Sequence, residues 1–162
     1  MEIKYLADHP EMIPELADWF FHQWGYLRPG SSVEDFAAGI RTHLNRDELP
    51  LSLVALDGPE TLGSASLRQH DMSTRMDLSP WLASVYVAAE HRRRGIGAQL
   101  VSAIEEKARE LGFATLYLWT PDKEEFYARL GWSVVQRTEY RQENAVVMQK
   151  QLASSDSAWR PS

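Results

Sequence analysis

Residues 85–100 read V-Y-V-A-A-E-H-R-R-R-G-I-G-A-Q-L, and this stretch decides the fold. It predicts an apolar strand, then a basic turn with two glycines, then an amphipathic helix. The first backbone N–H groups of a helix have no intrahelical acceptor, and the helix dipole adds partial positive charge at that end. The stretch therefore predicts an anion site at the start of the helix, with phosphate as the favoured ligand.

Three consecutive arginines, Arg92, Arg93 and Arg94, precede the predicted helix. Cations at a helix N-terminus oppose the dipole by roughly 0.3–1 kcal/mol each, so a bound anion would compensate them. Gly95 and Gly97 carry no Cβ and would let a phosphate approach the backbone closely. A solvated basic turn before an ordinary helix is the alternative interpretation. The order of strand, basic turn, glycines and helix favours the anion site.

Two common phosphate motifs do not match this turn. The chain has no G-x-x-x-x-G-K-[ST] sequence, and the dinucleotide pattern G-x-G-x-x-G fails because Leu100 stands where the third glycine would be. The pattern that matches is R-x-x-G-x-G, from Arg92 to Gly97. It resembles the acetyl-CoA pyrophosphate signature, Q/R-x-x-G-x-G/A, of the GNAT family of N-acetyltransferases.

The rest of the chain predicts a series of strands and helices from the spacing of its apolar residues. In order, these are a strand (3–6), two helices (Asp8 to about Trp24, and Ser32 through Leu44), three strands (51–56, 61–69, 81–87), a helix (96–111), a strand (115–119), a short helix (123–130) and two strands (132–138, 145–152). This order predicts an α/β fold with a single mixed central β-sheet flanked by helices. It is also the element order of the GNAT fold, so the resemblance covers residues 3–152.

Length and composition predict one domain. The chain has 162 residues, enough for a sizeable core. We expect an N-acetyltransferase domain over residues 1–152 and a disordered tail over 153–162, since the tail is small and polar. No apolar run approaches the ~20 residues that cross a bilayer, so no membrane partner is expected.

Charge and cysteine content narrow the function further. The net charge of −6 argues against a nucleic-acid partner, whose binding depends on phosphate neutralisation. The chain has no cysteine, which excludes disulfides and a cysteine nucleophile, and its five scattered histidines argue against a metal site. The N-terminus lacks a signal-peptide pattern, so we expect a cytoplasmic protein, either a monomer or a homodimer.

Residues 120–132, T-P-D-K-E-E-F-Y-A-R-L-G-W, form a second motif. They resemble the GNAT element N-x-x-A-x-x-[FL]-Y-x-x-x-G-[FW], which lies on the CoA side of the family's site. Tyr127, Gly131 and Trp132 match it, whereas Thr120 replaces the usual asparagine and Lys123 the usual alanine. Thr120 could still bind the cofactor through its hydroxyl.

The chemistry of a thioester explains the use of a tyrosine. Amine attack on acetyl-CoA gives a tetrahedral oxyanion, which then expels a thiolate. A free thiol has a pKa near ~8.5 and tyrosine one near ~10, so a positioned phenol can stabilise or protonate the sulfur. Tyr127 is the predicted catalytic acid, with a packed aromatic ring as the alternative.

The resemblance also implies which residues contact the cofactor. In the GNAT family, a backbone N–H of the central strand stabilises the oxyanion where that strand splays from its neighbour. The motif register then places cofactor contacts at Val85, Tyr86, Val87, Arg92, Arg93, Arg94, Gly95, Ile96, Gly97, Ala98 and Thr120.

The general base is not marked by a motif. Many GNAT relatives place a glutamate near the start of the central strand, where this chain has Trp81. His70, Asp71 and Asp77 are the nearby substitutes, and His70 has an unperturbed pKa suited to the task. We predict His70 as the base, with proton loss to bulk water as the alternative.

The predicted function is acetyl-CoA-dependent transfer of an acetyl group to a small amine or peptide amine, by direct attack in a ternary complex. A non-catalytic module that senses acyl-CoA is one alternative, and nucleotide binding through the same turn is another. An aromatic group near the expected acceptor site is predicted to be mostly core, with one or two rings lining a groove: Trp19, Phe20, Phe21, Trp24 and Tyr26.

Overall fold

The computed structural model describes residues 1–152, so the tail predicted at 153–162 lies outside the described residues. The strands are β1 (Glu2–Tyr5), β2 (Leu51–Asp57), β3 (Glu60–Arg68), β4 (Trp81–Val87), β5 (Thr115–Thr120), β6 (Ser133–Tyr140) and β7 (Glu143–Gln151). The helices are α1 (Ile13–Trp24), α2 (Val33–Arg41), α3 (Ile96–Glu110) and α4 (Glu124–Arg129). Within this range no helix is both long and apolar enough to cross a bilayer.

The strands form one sheet in the order β1-β2-β3-β4-β5-β7-β6. β4 and β5 run parallel, whereas the other neighbouring pairs are antiparallel. A parallel pair needs a long crossover connection, and α3 supplies it between β4 and β5. The predicted α/β fold with a single mixed sheet and flanking helices is confirmed.

Helix α3 covers one face of the sheet, which we call the α3 face. Leu100 and Ile104 of this helix are fully buried, in one cluster with Leu116 and Leu118 of β5. The buried residues recur with the helical period along α3 and at every second position along β5, so each element presents one apolar side to the other.

The opposite face has two covers. Over β2, α1 contributes Leu16 and Phe20 to a cluster with Val54 and Leu56. Over β5 and β7, the connection between β3 and β4 supplies the cover, and its buried residue is Met72. This face therefore carries loops as well as helices, and loops are where binding residues concentrate.

Helix α1 begins later than the sequence predicts. Residues Leu6–Asp8 and Pro10–Met12 form two short 3-10 turns, and the α-helix starts only at Ile13. Two prolines explain the delay. A proline disfavours helical geometry in the residue before it, and His9, before Pro10, has φ −137° and ψ 53°. Pro14 is tolerated because it lies in the first turn of α1.

Helix α2 begins as the capping sequence predicts but ends early. The Ser32 hydroxyl accepts from the Asp35 N–H at 3.2 Å, and the Asp35 carboxylate accepts from the Ser32 N–H at 3.0 Å. This reciprocal pair is a capping box. The helix ends at Arg41, so Leu44 packs from the following loop and not from the helix.

Strands β4 and β5 separate almost as soon as they meet. Trp81↔Tyr117 is the one residue pair that joins them, at the start of β4. A β-bulge lies further along β4, where two residues, Ser84 and Val85, lie opposite Ala65 alone on β3. Ser84 has φ +54°. A bulge leaves ladder groups unpaired and bends the strand, so the sheet opens into a gap between β4 and β5.

Candidate functional site

The turn before α3 has the shape that its glycines predict. Gly95 caps the helix with φ +79°, a conformation that residues with a Cβ rarely adopt. The Gln99 N–H donates to the Gly95 carbonyl oxygen at 3.1 Å, which begins the helical ladder. The N–H groups of Ile96, Gly97 and Ala98 precede that bond, so they are free donors for a phosphate.

Arg92 ties this turn to strand β4. Its Nε donates to the Val87 carbonyl oxygen at 2.9 Å, and its guanidinium lies 5.4 Å from the centre of the Tyr86 ring. The guanidinium has five N–H donors in total. Anchoring through Nε therefore leaves donors at the outer nitrogens for an anion.

Arg94 and Arg93 have different surroundings. Arg94 donates from Nη1 to Nδ1 of His91 at 2.7 Å, since arginine has no acceptor. Nε2 of His91 then carries the proton and donates to Glu60 at 2.8 Å. Arg93 is exposed with φ +64°, and its side chain has no polar partner within residues 1–152. Of the three arginines, Arg93 is the one whose whole guanidinium is available to an anion.

The two sequence motifs meet at Gly97. A Cβ built on this glycine would lie 3.6 Å from Cζ of Phe126 in α4 and 3.7 Å from Cγ2 of Val87 in β4. Both distances are ordinary van der Waals contacts. The start of α3, the end of β4 and helix α4 therefore border one site, although the motifs lie apart in sequence.

Tyr127 is buried beside this contact. Its ring lies 4.9 Å from the Phe126 ring and 6.0 Å from the Trp132 ring, measured between centroids. Within residues 1–152 its hydroxyl has no hydrogen-bond partner. Burial raises the pKa of the Tyr127 phenol, and the negative charge of Asp122 raises it further. The phenol is thus neutral at physiological pH and can donate a hydrogen bond, although the raised pKa makes it a weaker acid than an exposed tyrosine.

Thr120 has a structural role at the start of α4. It is buried, and its Oγ1 accepts from the backbone N–H groups of Lys123 at 3.0 Å and Asp122 at 3.4 Å. A threonine that caps a turn in this way positions the helix that follows. The Thr120 hydroxyl can still donate its own proton to a ligand. Its contact with a cofactor stays a prediction.

A buried ion pair holds α4 against α3 and β7. Glu105 accepts from Nε1 of Trp132 at 3.1 Å and from Nζ of Lys150 at 2.9 Å. The same Nζ donates to the Leu130 carbonyl oxygen at 2.7 Å. Trp132 is therefore a packing residue, fixed by Glu105 and buried in the cluster on the α3 face.

A second polar group lies on the face opposite α3. The Asp71 carboxylate accepts from Nη1 of Arg68 at 3.2 Å and its side chain is 18% exposed, while the next residue, Met72, is buried in the cluster against which Trp119 packs. Burial raises the pKa of this carboxyl to about 6. The charges of Arg68, Arg28 and Arg141 and the hydrogen bond from Trp119 oppose that rise.

The other candidate bases are less well placed. His70 is half-buried, and its Nδ1 is buried without a partner within residues 1–152. Asp77 is exposed and binds Arg75 through two hydrogen bonds of 3.0 Å, which lower the pKa of its carboxyl. Trp81 fills the core at the usual glutamate position and donates from its indole to the Leu78 carbonyl oxygen at 2.8 Å.

The aromatic group of α1 surrounds Tyr86. The ring centroids of Trp19, Phe20 and Trp24 lie 5.3, 6.0 and 6.0 Å from that of Tyr86. The Tyr86 ring thus packs against the cluster that α1 forms with β2, with the Arg92 guanidinium also beside it. Tyr26, at 60% exposure, is the ring that is free to line a groove.

The sequence analysis missed the residues that surround Asp71. Trp119 comes from β5, Arg28 from the α1–α2 connection and Arg141 from the turn between β6 and β7. The one sequence signal is the alternation along β5, which places Tyr117 and Trp119 on the face opposite Leu118. This alternation indicates on which face of the sheet Trp119 lies, but not which residue it contacts.

The fold combines free backbone donors at a helix N-terminus with a split between two parallel strands and a buried phenol. The chain belongs to the family described as Acetyltransferase (GNAT) family, whose model matches residues 13–132. The chain is also 32% identical over 129 residues to N-alpha-acetyltransferase 80 of Mus musculus, a match that covers 77% of this chain. The chain spans 39% of the length of that curated relative.

Solved structures agree on the fold. The crystal structure of aminoglycoside 6'-acetyltransferase type Ii superposes with a TM-score of 0.73 at 22% identity, covering 99% of this chain and 100% of that one. An aminoglycoside 6'-N-acetyltransferase complexed with coenzyme A gives 0.72 at 19% identity, with both chains fully covered. The yncA protein of Salmonella typhimurium with acetyl-CoA gives 0.70 at 18% identity, covering 97% of this chain and 96% of that one.

Proposed function

We propose that this chain transfers an acetyl group from acetyl-CoA to a primary amine. The observation that carries the proposal is the meeting of the two motifs, where Phe126 and Val87 both lie against Gly97. Phe126 adjoins Tyr127 in α4, so a phosphate bound at the helix terminus would lie on the side of α4 that leads to the buried phenol. An acetyl-CoA molecule whose pyrophosphate binds at the turn would have its thioester sulfur within reach of α4.

The residues around the turn fit a pyrophosphate. The free N–H groups of Ile96, Gly97 and Ala98 supply donors at the positive end of the helix dipole. Arg93 and the outer nitrogens of Arg92 supply positive charge. The pantetheine arm would run along β4 past Val87 and Val85, into the gap that the bulge at Ser84 opens.

The names of similar proteins support an amine acceptor. The curated relative is named for an N-alpha-acetyltransferase, and two similar structures for aminoglycoside 6'-acetyltransferases. Both kinds of name describe transfer to an amine nitrogen. We infer a small amine or a peptide amine as the acceptor class for this chain, and direct attack in a ternary complex, since the chain has no cysteine to carry an acetyl group.

The first experiment measures thiol release from acetyl-CoA with a panel of amines. The panel holds an aminoglycoside with a free 6′-amine, a peptide with a free α-amine, a peptide with an internal lysine, and alkylamines. Thiol release with at least one acceptor supports the proposal. Binding of CoA without release for any acceptor would favour a sensing module, and ATP binding that CoA does not displace would favour a nucleotide site.

The second experiment tests the predicted acid. Tyr127→Phe removes the hydroxyl and keeps the ring packing, so kcat should fall by about 10²-fold while CoA affinity measured by calorimetry stays unchanged. Tyr5→Phe on the edge strand β1 is the matched control and should keep full activity. A Tyr127→Phe protein with wild-type kcat would remove Tyr127 from the mechanism.

A further inference from the structure

We infer that Asp71 is the catalytic base of this site, the group that takes a proton from the acceptor ammonium. The inference rests on the proposed acetyl transfer and adds the residue that makes the amine a nucleophile. A protonated amine has no lone pair for attack, and a lysine-like amine has a pKa near ~10.4. A base at the acceptor position is therefore needed near neutral pH.

The position of Asp71 follows from its ion pair with Arg68 and from the packing of the adjacent Met72. β4 and β5 pair only at Trp81↔Tyr117, and Trp119 lies two residues further along β5. Trp119 therefore borders the gap between the two strands. Met72, the residue after Asp71, packs with Trp81 of β4 and Trp119 of β5, the strands on either side of the gap, so Asp71 lies beside the same gap.

Asp71 and Tyr127 lie on opposite faces of the sheet. Tyr127 belongs to the cluster on the α3 face. Trp119 belongs to the cluster on the other face, which the β3–β4 connection covers. A thioester in the gap would then have its sulfur towards the phenol and its carbonyl carbon open to an amine that arrives from the Asp71 side.

The charges around Asp71 suit a base. The groups that act on it are the guanidiniums of Arg68 in β3, Arg28 in the α1–α2 connection and Arg141 in the β6–β7 turn, with the Trp119 indole from β5. Burial outweighs these groups and raises the pKa of the carboxyl to about 6. Such a carboxyl is mostly ionised at pH 7 and is a stronger base than an ordinary aspartate.

The proton balance is complete with these two residues. The Asp71 carboxylate takes one proton from the ammonium, and the nitrogen lone pair attacks the thioester carbon. The C–N bond forms, the C–S bond breaks, and the sulfur takes the Tyr127 proton. Loss of the second nitrogen proton through water restores the phenol, and Asp71 releases its own proton to solvent. The net reaction gives an amide, a free thiol and one proton.

The other nearby groups do not meet these requirements. Asp77 is exposed, and two hydrogen bonds to Arg75 lower the pKa of its carboxyl and make it a weaker base. Nδ1 of His70 has no partner within residues 1–152 to fix the tautomer, and a catalytic histidine depends on such a partner. Asp71 has both a fixed orientation and a raised pKa.

The test compares Asp71→Asn with Asp77→Asn, a control in the same connection. With the best acceptor of the amine panel, Asp71→Asn should lower kcat/KM by about 10²-fold or more and remove the acid limb near pH 6. Its CoA affinity should equal that of the wild type, and Asp77→Asn should match the wild type throughout. An unchanged pH profile in Asp71→Asn would overturn the inference.

A weakly basic acceptor separates a base from a structural ion pair. Hydroxylamine is largely unprotonated at neutral pH, so its acetylation should be nearly the same in Asp71→Asn and the wild type. Equal losses with hydroxylamine and with a strongly basic amine would mean that Asp71 only supports the fold. An inactive wild type would instead contradict the proposed acetyl transfer itself, so the two failures are distinguishable.

Discussion

Gly97 shows how a single residue can report on a ligand. Gly95, two positions earlier, needs its glycine for the fold, because its φ of +79° strains any residue with a Cβ. Gly97 has no such need, since the protein atoms nearest to a Cβ at this position lie at ordinary contact distances of 3.6 and 3.7 Å. If a phosphate binds at the turn, a Cβ at position 97 would compete with it for space.

Gly97→Ala should therefore keep the fold and weaken CoA binding. We expect an unchanged melting temperature and about a tenfold loss of CoA affinity by calorimetry, since the methyl group would displace the pyrophosphate. Gly39→Ala, in α2 with no atom within 4 Å of its Cβ, is the matched control. It should raise stability slightly and leave CoA affinity unchanged. Equal CoA affinities for both variants would place the pyrophosphate elsewhere.

Helix α4 depends on neighbours that are distant in sequence. Six residues are too few for a stable isolated helix, so tertiary contacts must hold it. The Glu105 carboxylate of α3 accepts hydrogen bonds from Trp132, just after the end of α4, and from Lys150 of β7. The position of Tyr127 therefore rests on a buried carboxylate outside the motif that contains Tyr127.

Glu105→Gln should show the strength of this support. The side-chain amide has one acceptor oxygen where the carboxylate has two, and Lys150 loses its counter-charge. We therefore expect a loss of about 2 kcal/mol in unfolding free energy. Urea denaturation measures it. Glu106→Gln changes an exposed neighbour that pairs with Arg109 and should stay within about 0.5 kcal/mol of the wild type. Equal stabilities for the two variants would contradict the supporting role.

At the level of elements, local patterns predict more than long-range contacts do. The strands and helices follow from apolar periods, and the Ser32–Asp35 capping box follows from a spacing of three residues. The 3-10 turns before Ile13 were missed, because the helical apolar spacing continues through them while Pro10 and Pro14 remove backbone donors.

The candidate site divides in the same way. The phosphate turn and Tyr127 lie in contiguous motifs, so the sequence alone indicated them. The packing of the β3–β4 connection, which holds Asp71, against Trp119 of β5 joins distant parts of the chain, and no local pattern contains it. Burial also decides which carboxylate is a base. Asp71 and Asp77 have the same side chain, and their pKa shifts have opposite directions.

Across the whole molecule, Arg68 connects two buried titratable groups. Its guanidinium pairs with Asp71, and its positive charge lowers the pKa of His43. His43 is buried, with Nδ1 3.0 Å from the Ser52 hydroxyl, which in turn lies 2.7 Å from the Ser66 hydroxyl. Burial is the main cause of both shifts, lowering the pKa of His43 to about 4 and raising that of Asp71 to about 6.

The two groups affect stability in opposite directions as the pH changes. Between pH 4 and 6.5, His43 binds a proton in the unfolded chain and not in the native one, so its contribution to stability falls as the pH is lowered. Between pH 4 and 6, Asp71 binds its proton in the native state and not in the unfolded one, so its contribution rises as the pH is lowered. In the wild type the two contributions largely cancel over this range.

Single substitutions should expose each slope. In Asp71→Asn the free energy of unfolding should rise from pH 4 to 6.5 by about 2 kcal/mol more than in the wild type, because only the His43 term remains. In His43→Asn the free energy of unfolding should fall from pH 4 to 6 relative to that of the wild type. Urea denaturation at several pH values measures both, and the slope is the readout, since either variant can also shift the curve as a whole. Curves parallel to the wild type in both variants would show that the pKa of each group is the same in the native and unfolded states.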